Sequence, residues 1–328
     1  MSVRVKHQIA YAASMLSLSV LQIVVCFKPF TRLSDFDFSI AYTLISQILC
    51  MGAIPFAVLF FLKRGEGARS NFEFMRYKKP KDAKVCLLAS LGLMLLITPF
   101  TMVFNALTTL ILNVIGYKKG YPVNTIYGGA GDLAVMIIVS AVLPAIFEEF
   151  THRGVLLSGL ENKGSEFSAV VLSAVCFGLM HASPLQFIYA VAGGIVFGAA
   201  VVKCGSILPA MCAHFANNFV ATVLDYSLQK DNSIGVLYKK LLGSNNIFAF
   251  ALLVAILGFS VYGVILILQY LSRKNEKPVS EIKLFGVIVM DSYCADGKAT
   301  LKENAVLYAT MISEVFLLVA LLIWGVCR

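Results

Sequence analysis

Charge is what this chain has least of. Lysine, arginine, aspartate and glutamate together make up 14% of its 328 residues, against about 25% in a soluble globular domain. Hydrophobic residues reach 59%, and they fall in blocks of roughly 20, the length that crosses a bilayer core as helix. Other absences narrow the reading. The eight cysteines (Cys26, Cys50, Cys86, Cys176, Cys204, Cys212, Cys294 and Cys327) form no CxxC pair. That excludes a zinc knuckle or thioredoxin-like motif and leaves the thiols as small apolar residues. The net charge is +9, yet no aromatic-basic interleaving marks a nucleic-acid groove. The excess reads instead as basic residues flanking membrane spans on the cytoplasmic side. No small-x-small cleavage site follows the apolar stretch 8–27, whose exit reads CFKPF, so an uncleaved first span is expected. There is no internal repeat and no low-complexity tract.

What is present predicts an all-α, polytopic transmembrane helix bundle. Candidate spans lie at 8–27, 38–62, 84–115, 132–151, 167–182, 185–202, 206–227, 246–271 and 304–326, about eight or nine crossings. The third contains Pro99, where a tilt or kink is expected. The fifth and sixth are short, parted only by Ser183 and Pro184, and read as buried bundle helices. The loop 63–84 holds Lys63, Arg64, Arg69, Arg76, Lys78, Lys79, Lys81 and Lys84, which places it and the N-terminus in the cytoplasm. A bacterial plasma membrane is the expected setting. The polar insertion 272–303 carries Arg273, Lys274, Lys277, Lys283, Lys298 and Lys302 around the run LFGVIVM, a strand or an interfacial segment.

Ionisable groups inside a membrane usually face a cavity and do work. Three clusters qualify. In FEEFTHRG, residues 147–154, Glu149 and Arg153 are four apart and share a helix face, with the acid favourably N-terminal. Glu148 points about 100° away and stays free to titrate as a general base. The segment is expected at the cytoplasmic end of the fourth span. Pro144 frees the carbonyl near Ser140. In FGLMH, residues 177–181, Phe177 and His181 share a face. In HFANN, residues 214–218, His214 and Asn218 do so and can donate hydrogen bonds to an oxyanion. The bland alternatives are a charged helix end, a satisfied bundle histidine and polar glue between helices. Together, however, the clusters supply the inventory an amide hydrolase needs.

The pattern EExxxR, then FxxxH, then HxxxN, on successive helices of residues 128–228, resembles the CAAX protease and bacteriocin-processing family of intramembrane glutamic peptidases. The resemblance implies a four-helix catalytic core at 128–228, flanked by helices 1–127 and 229–328 that set substrate choice. It implies that Glu148 activates water, His181 holds it, and His214 with Asn218 stabilises the oxyanion, while Glu149, Arg153 and Phe177 support the geometry. It favours a metal-free mechanism. Zinc stays open through Glu148, His181 and His214, a possible three-ligand set, although no HExxH pair exists. The implied substrate is a hydrophobic, membrane-associated or prenylated peptide, of signalling or bacteriocin type, met in the bilayer.

Other readings are weaker. GAGD, residues 129–132, matches an intramembrane aspartyl protease motif but lacks a preceding YD, and reads as a turn with Asp132 capping the fourth span. LLSG, residues 156–159, lacks the first glycine of a rhomboid serine motif. A non-catalytic scaffold or immunity protein would be expected to lose Glu148 or a histidine. A proton-coupled transporter would be expected to show a repeat.

Overall fold

The structure is a computed structural model that describes residues 1–26, 33–64, 68–80, 82–117, 126–162, 165–242, 247–274, 282–284, 287–290 and 299–327. Among them run eleven helices: α1 Val3–Cys26, α2 Asp35–Leu62, α3 Ala68–Phe74, α4 Ala83–Val114, α5 Ala130–Glu161, α6 Glu166–Leu179, α7 Pro184–Cys204, α8 Leu208–Gln229, α9 Ser233–Leu242, α10 Ile247–Lys274 and α11 Leu301–Val326. Seven of these helices are long and apolar enough to cross a membrane, those of α1, α2, α4, α5, α7, α10 and α11. The chain is thus a polytopic helical bundle. In the polar insertion two short strands, β1 Ile282–Leu284 and β2 Val287–Met290, pair antiparallel with Leu284 opposite Val287. Part of LFGVIVM is therefore strand; Phe285 and Gly286 lie outside the described residues.

Hydrogen bonds define the two ends of the bundle. At one, Arg76 pairs with Glu161 at 2.8 Å, Ile207 donates its amide to the Arg76 carbonyl, and Ser206 Oγ donates to the Lys78 carbonyl at 2.6 Å. Arg4 joins this end by donating to the Leu160 carbonyl and to Asn304 Oδ1. At the other, Lys230 Nζ donates to the Gly128 carbonyl at 3.1 Å, and the Tyr127 and Tyr226 rings meet edge-on at 5.3 Å. The first is called the basal end here, since the basic segment 76–84 begins there, and the second the apical end. The hairpin of α6 and α7 starts and finishes basally, so its turn, with His181, hangs inside the bundle. Only 14 residues long, α6 fits the reading of a bundle helix.

Helix α5 departs from its predicted bounds. The polar run Thr151-His152-Arg153 reads as an exit from the membrane, but the helix continues to Glu161. Each polar side chain has a buried partner: Thr151 Oγ1 donates to the Met51 carbonyl at 2.5 Å, His152 Nδ1 meets the Glu148 carbonyl at 3.0 Å, and Arg153 pairs with Glu149 at 3.0 Å. Residues 150–160 are buried on every side, as befits the central helix of a bundle. Glu148 therefore sits within a helix, not at its end. The start also differs: Gly129 is the N-cap, and Asp132 lies in the first turn, where its carboxylate accepts from the Gly128 amide at 2.5 Å.

Two prolines shape the site. Helix α2 is π-helical over Ile45–Ala53 and α5 over Ile138–Val142, and each π segment is followed closely by a proline, Pro55 or Pro144. Proline has no N–H to give, so carbonyls a turn earlier lose their partners; in a membrane neighbouring groups must replace it. They do so here. Ser14 Oγ donates to the Cys50 carbonyl at 2.7 Å and Thr151 to that of Met51, while Asn218 Nδ2 donates to the Ser140 carbonyl at 3.2 Å. A third π segment, Phe150–Leu157, follows the two glutamates; such turns recur at functional sites. Helix α4, by contrast, runs unbroken through Pro99.

Close approach depends on two glycines. A Cβ on Gly52 would lie 2.7 Å from Phe147 Cδ1, so its absence lets α2 press against α5. One on Gly194 would lie 2.9 Å from Ala174 Cα, and its absence draws α7 onto α6.

Candidate active site

The paired carboxylates have different surroundings. Glu149 is fully buried. Its Oε1 accepts from Arg153 Nη1 at 3.0 Å and meets His214 Nδ1 at 2.8 Å. The ion pair follows from the four-residue spacing; the tie to His214 crosses from α5 to α8 and is not visible in sequence. Arg153 Nη2 also donates to the Gly194 carbonyl at 3.2 Å, which locks α7 to α5. Its guanidinium lies over the Phe177 ring, 4.3 Å from the centroid, a favourable placement for a cation. Glu149 and Arg153 are thus a buried, oriented pair.

Glu148, 7% exposed, has no such cation. Gln47 Nε2 donates to its Oε1 at 2.8 Å. Its Oε2 lies 3.9 Å from His214 Nε2, too far for a direct hydrogen bond. Because Nδ1 of His214 faces a carboxylate, which only accepts, that nitrogen is the donor, and Nε2 is the atom turned toward Glu148.

His181 holds its Nδ1 on the Phe177 carbonyl at 2.8 Å, the contact that FxxxH spacing produces. Nδ1 is again the donor, which leaves the Nε2 lone pair free. The turn bearing His181 is fixed on both sides. Gln22 Nε2, from α1, donates to the Met180 carbonyl at 2.8 Å. Ala182 adopts φ 46°, a left-handed conformation costing an L-residue roughly 1–2 kcal/mol, before Ser183 and Pro184 start α7.

Asn218 spends one amide N–H on Ser140; the other remains for a ligand, and its Oδ1 accepts from Asn217 at 3.2 Å. Phe177 is the hub of the aromatic packing: its ring stands edge-on to His152, His181 and His214 at 5.1, 5.2 and 5.8 Å. Phe197 stacks on His214 from the other side at 5.6 Å. Basally the cluster is covered by Tyr77, which packs beside Gly154. Burial first, and the Glu149 charge second, push its phenol well above the ordinary tyrosine value, so this cover stays neutral.

Glu148, His181, His214 and Asn218 line one cavity of about 970 Å³, with Phe177 in its wall. Glu149 and Arg153 stand behind it. All seven residues singled out from sequence are brought together. Sequence reasoning missed Gln47 and Gln22, although each is an isolated polar residue in an apolar span, the signal that drew attention to the histidines. Among the described residues no three His, Cys, Asp or Glu side chains are grouped as a metal ligand set, Glu148, His181 and His214 included.

A known family matches the same segment. Residues 130–220 match the family described as Type II CAAX prenyl endopeptidase Rce1-like, which bears out the resemblance carried by the three motifs. The chain is 29% identical over 90 residues to the candidate membrane peptidase YdiL of Bacillus subtilis (strain 168), a stretch that is 27% of this chain and 37% of that protein. The similarity thus spans little more than a third of that relative's length. No solved structure gives a significant match. Gln22 and Gln47 lie outside the matched segment.

Proposed function

We propose that this protein is an intramembrane endopeptidase that hydrolyses a peptide bond in a hydrophobic, membrane-associated substrate, with Glu148 as general base. One observation carries the reading: on a cavity wall, a carboxylate without a paired cation faces the free nitrogen of a carboxylate-anchored histidine across 3.9 Å, with a second histidine and an amide on the same cavity.

In this mechanism a water lies between Glu148 and the lone pair of His181 Nε2. Glu148 takes its proton as the oxygen attacks the scissile carbonyl. The oxyanion is stabilised by the free N–H of Asn218 and by His214, whose Nδ1 Glu149 holds. Glu148 then passes its proton to the departing amine. Glu149 orients and balances His214 as the buried aspartate of a serine-protease triad does for its histidine. We further propose a plasma-membrane location with the basal end, and so the N-terminus, in the cytoplasm, from the basic residues gathered there.

The test is cleavage of a pool of peptides of about 8 to 20 residues by the full chain in lipid nanodiscs, read by mass spectrometry. Wild type should cut and Glu148→Ala should not. Equal processing by both would overturn the glutamate mechanism. Activity abolished by a chelator and restored by zinc would replace it with a metal-dependent one.

A further inference from the structure

The cavity is much longer than the catalytic cluster. It begins at Glu148 and His214 near mid-bundle and runs apically between α4 and α8, as far as Tyr127, Asp225 and Tyr238. Its volume, about 970 Å³, is at the top of the range of roughly 300–1,000 Å³ seen for small-ligand sites. Both long walls mix polar and apolar side chains. The α8 wall interleaves the apolar Val220, Ala221, Leu224 and Leu228 with the polar Thr222 and Asp225. The α4 wall presents Thr101, Asn105, Thr109 and Asn113, spaced four apart.

This stripe has no role in the chemistry, and lipid does not explain it: amides and hydroxyls facing hydrocarbon are costly. Its repeat has a counterpart. Four residues of α-helix rise about 6 Å, while two residues of an extended peptide rise about 6.6–6.8 Å. A line of polar side chains at every fourth helical position therefore keeps near step with alternate backbone groups of an extended chain. The Thr109 hydroxyl donates to the Asn105 carbonyl and that of Thr101 to the Thr98 carbonyl, so both oxygens remain acceptors toward a peptide N–H. Asn105 and Asn113 can both donate and accept.

We infer that this groove is the substrate-binding cleft, and that it takes a peptide segment in extended conformation, with its backbone on the Thr/Asn stripe of α4 and apolar side chains against Val220, Ala221, Leu224 and Leu228 of α8. The inference rests on the peptidase reading of the Glu148 cluster and names what that site receives. A farnesyl or acyl chain offers no hydrogen-bonding partner to the stripe, so the chemistry favours peptide over prenyl group here. From Thr101 to Asn113 the stripe spans about 18 Å, enough for roughly five extended residues.

The experiment has two arms, both on the full chain in nanodiscs. In the first, peptides of Leu, Ala and Val are lengthened stepwise on either side of the cut site. For wild type, kcat/KM should rise with length through KM until the groove is filled. In Asn105→Leu and Asn113→Leu the gain at the corresponding step should shrink roughly three- to ten-fold, the effect of one lost hydrogen bond. A length dependence identical to wild type in both variants overturns the cleft. The second arm needs no turnover. Twelve-residue Leu/Ala/Val peptides, each carrying one benzophenone residue, are photocrosslinked to the Glu148→Gln protein. Crosslinks should move along α4 from Thr101 toward Asn113 as the label moves along the peptide. Labels scattered without order, or a benzophenone-farnesyl probe that takes α4 in their place, refute the inference. If no peptide is cleaved but the ordered crosslinks appear, the cleft stands and the peptidase reading falls.

Discussion

Replacing each of the adjacent glutamates by glutamine should move stability in opposite directions. Glu149 is fully buried and its Oε1 holds both Arg153, also fully buried, and His214. Glu149→Gln leaves the guanidinium without a counter-charge in the bundle core. Breaking a buried pair in this way costs about 3–5 kcal/mol, equivalent to a fall in Tm on the order of 10 °C. Glu148→Gln does the reverse. Glu148 is nearly buried with a neutral amide as its hydrogen-bond donor, and Gln47 can still donate to a glutamine oxygen. Replacing a buried carboxyl group whose hydrogen-bond donor is a neutral amide should leave Tm unchanged or raise it, while activity is lost. The assay can use the native thiols: Cys50, Cys86 and Cys176 are buried and free, and a thiol-reactive dye reports their exposure during a thermal ramp. Equal destabilisation by both variants, or a Glu149→Gln protein as stable as wild type, would refute the division of labour between the two carboxylates.

Gln47→Leu should lower kcat about ten-fold or more, with KM little changed, because it removes a hydrogen bond to a charged group worth roughly 1.5–3 kcal/mol; steady-state kinetics on any cleaved peptide checks this, and Gln47→Asn should not restore the rate if reach matters. Gly52→Val should lower both Tm and rate, since the new side chain meets Phe147 and overpacking of this kind costs roughly 1–3 kcal/mol; a wild-type Tm would show that α2 does not need this approach. Chelator treatment followed by zinc should leave the cleavage rate at its untreated value, as measured on metal-depleted protein.

The part of the site that was legible in sequence consists of contacts within one helix. Glu149 with Arg153, and His181 with the Phe177 carbonyl, are both four-residue contacts that periodicity supplies. The freed carbonyl at Ser140 follows from Pro144, though its partner Asn218 does not. The unread parts depend on tertiary proximity. No spacing rule joins Glu149 to His214, or Gln47 to Glu148, because the partners lie 65 and 101 residues apart. The end of α5 was misplaced for a physical reason: polar residues leave a membrane helix when they need water, and Thr151, His152 and Arg153 do not, since each is met by protein. The membrane setting and the helical class, which depend on composition, carried over directly, while seven helices rather than eight or nine are long and apolar enough to cross among the described residues.

The central claim is that Glu148 is the base that activates water for peptide hydrolysis. The most direct measurement is the single-turnover cleavage rate of wild type and Glu148→Gln in nanodiscs, on one peptide, with folding verified by the thiol-exposure ramp. The account expects the variant to be folded and its rate to fall by about 10²–10⁴-fold, the usual contribution of a general base. A folded Glu148→Gln protein that cleaves at the wild-type rate would contradict it.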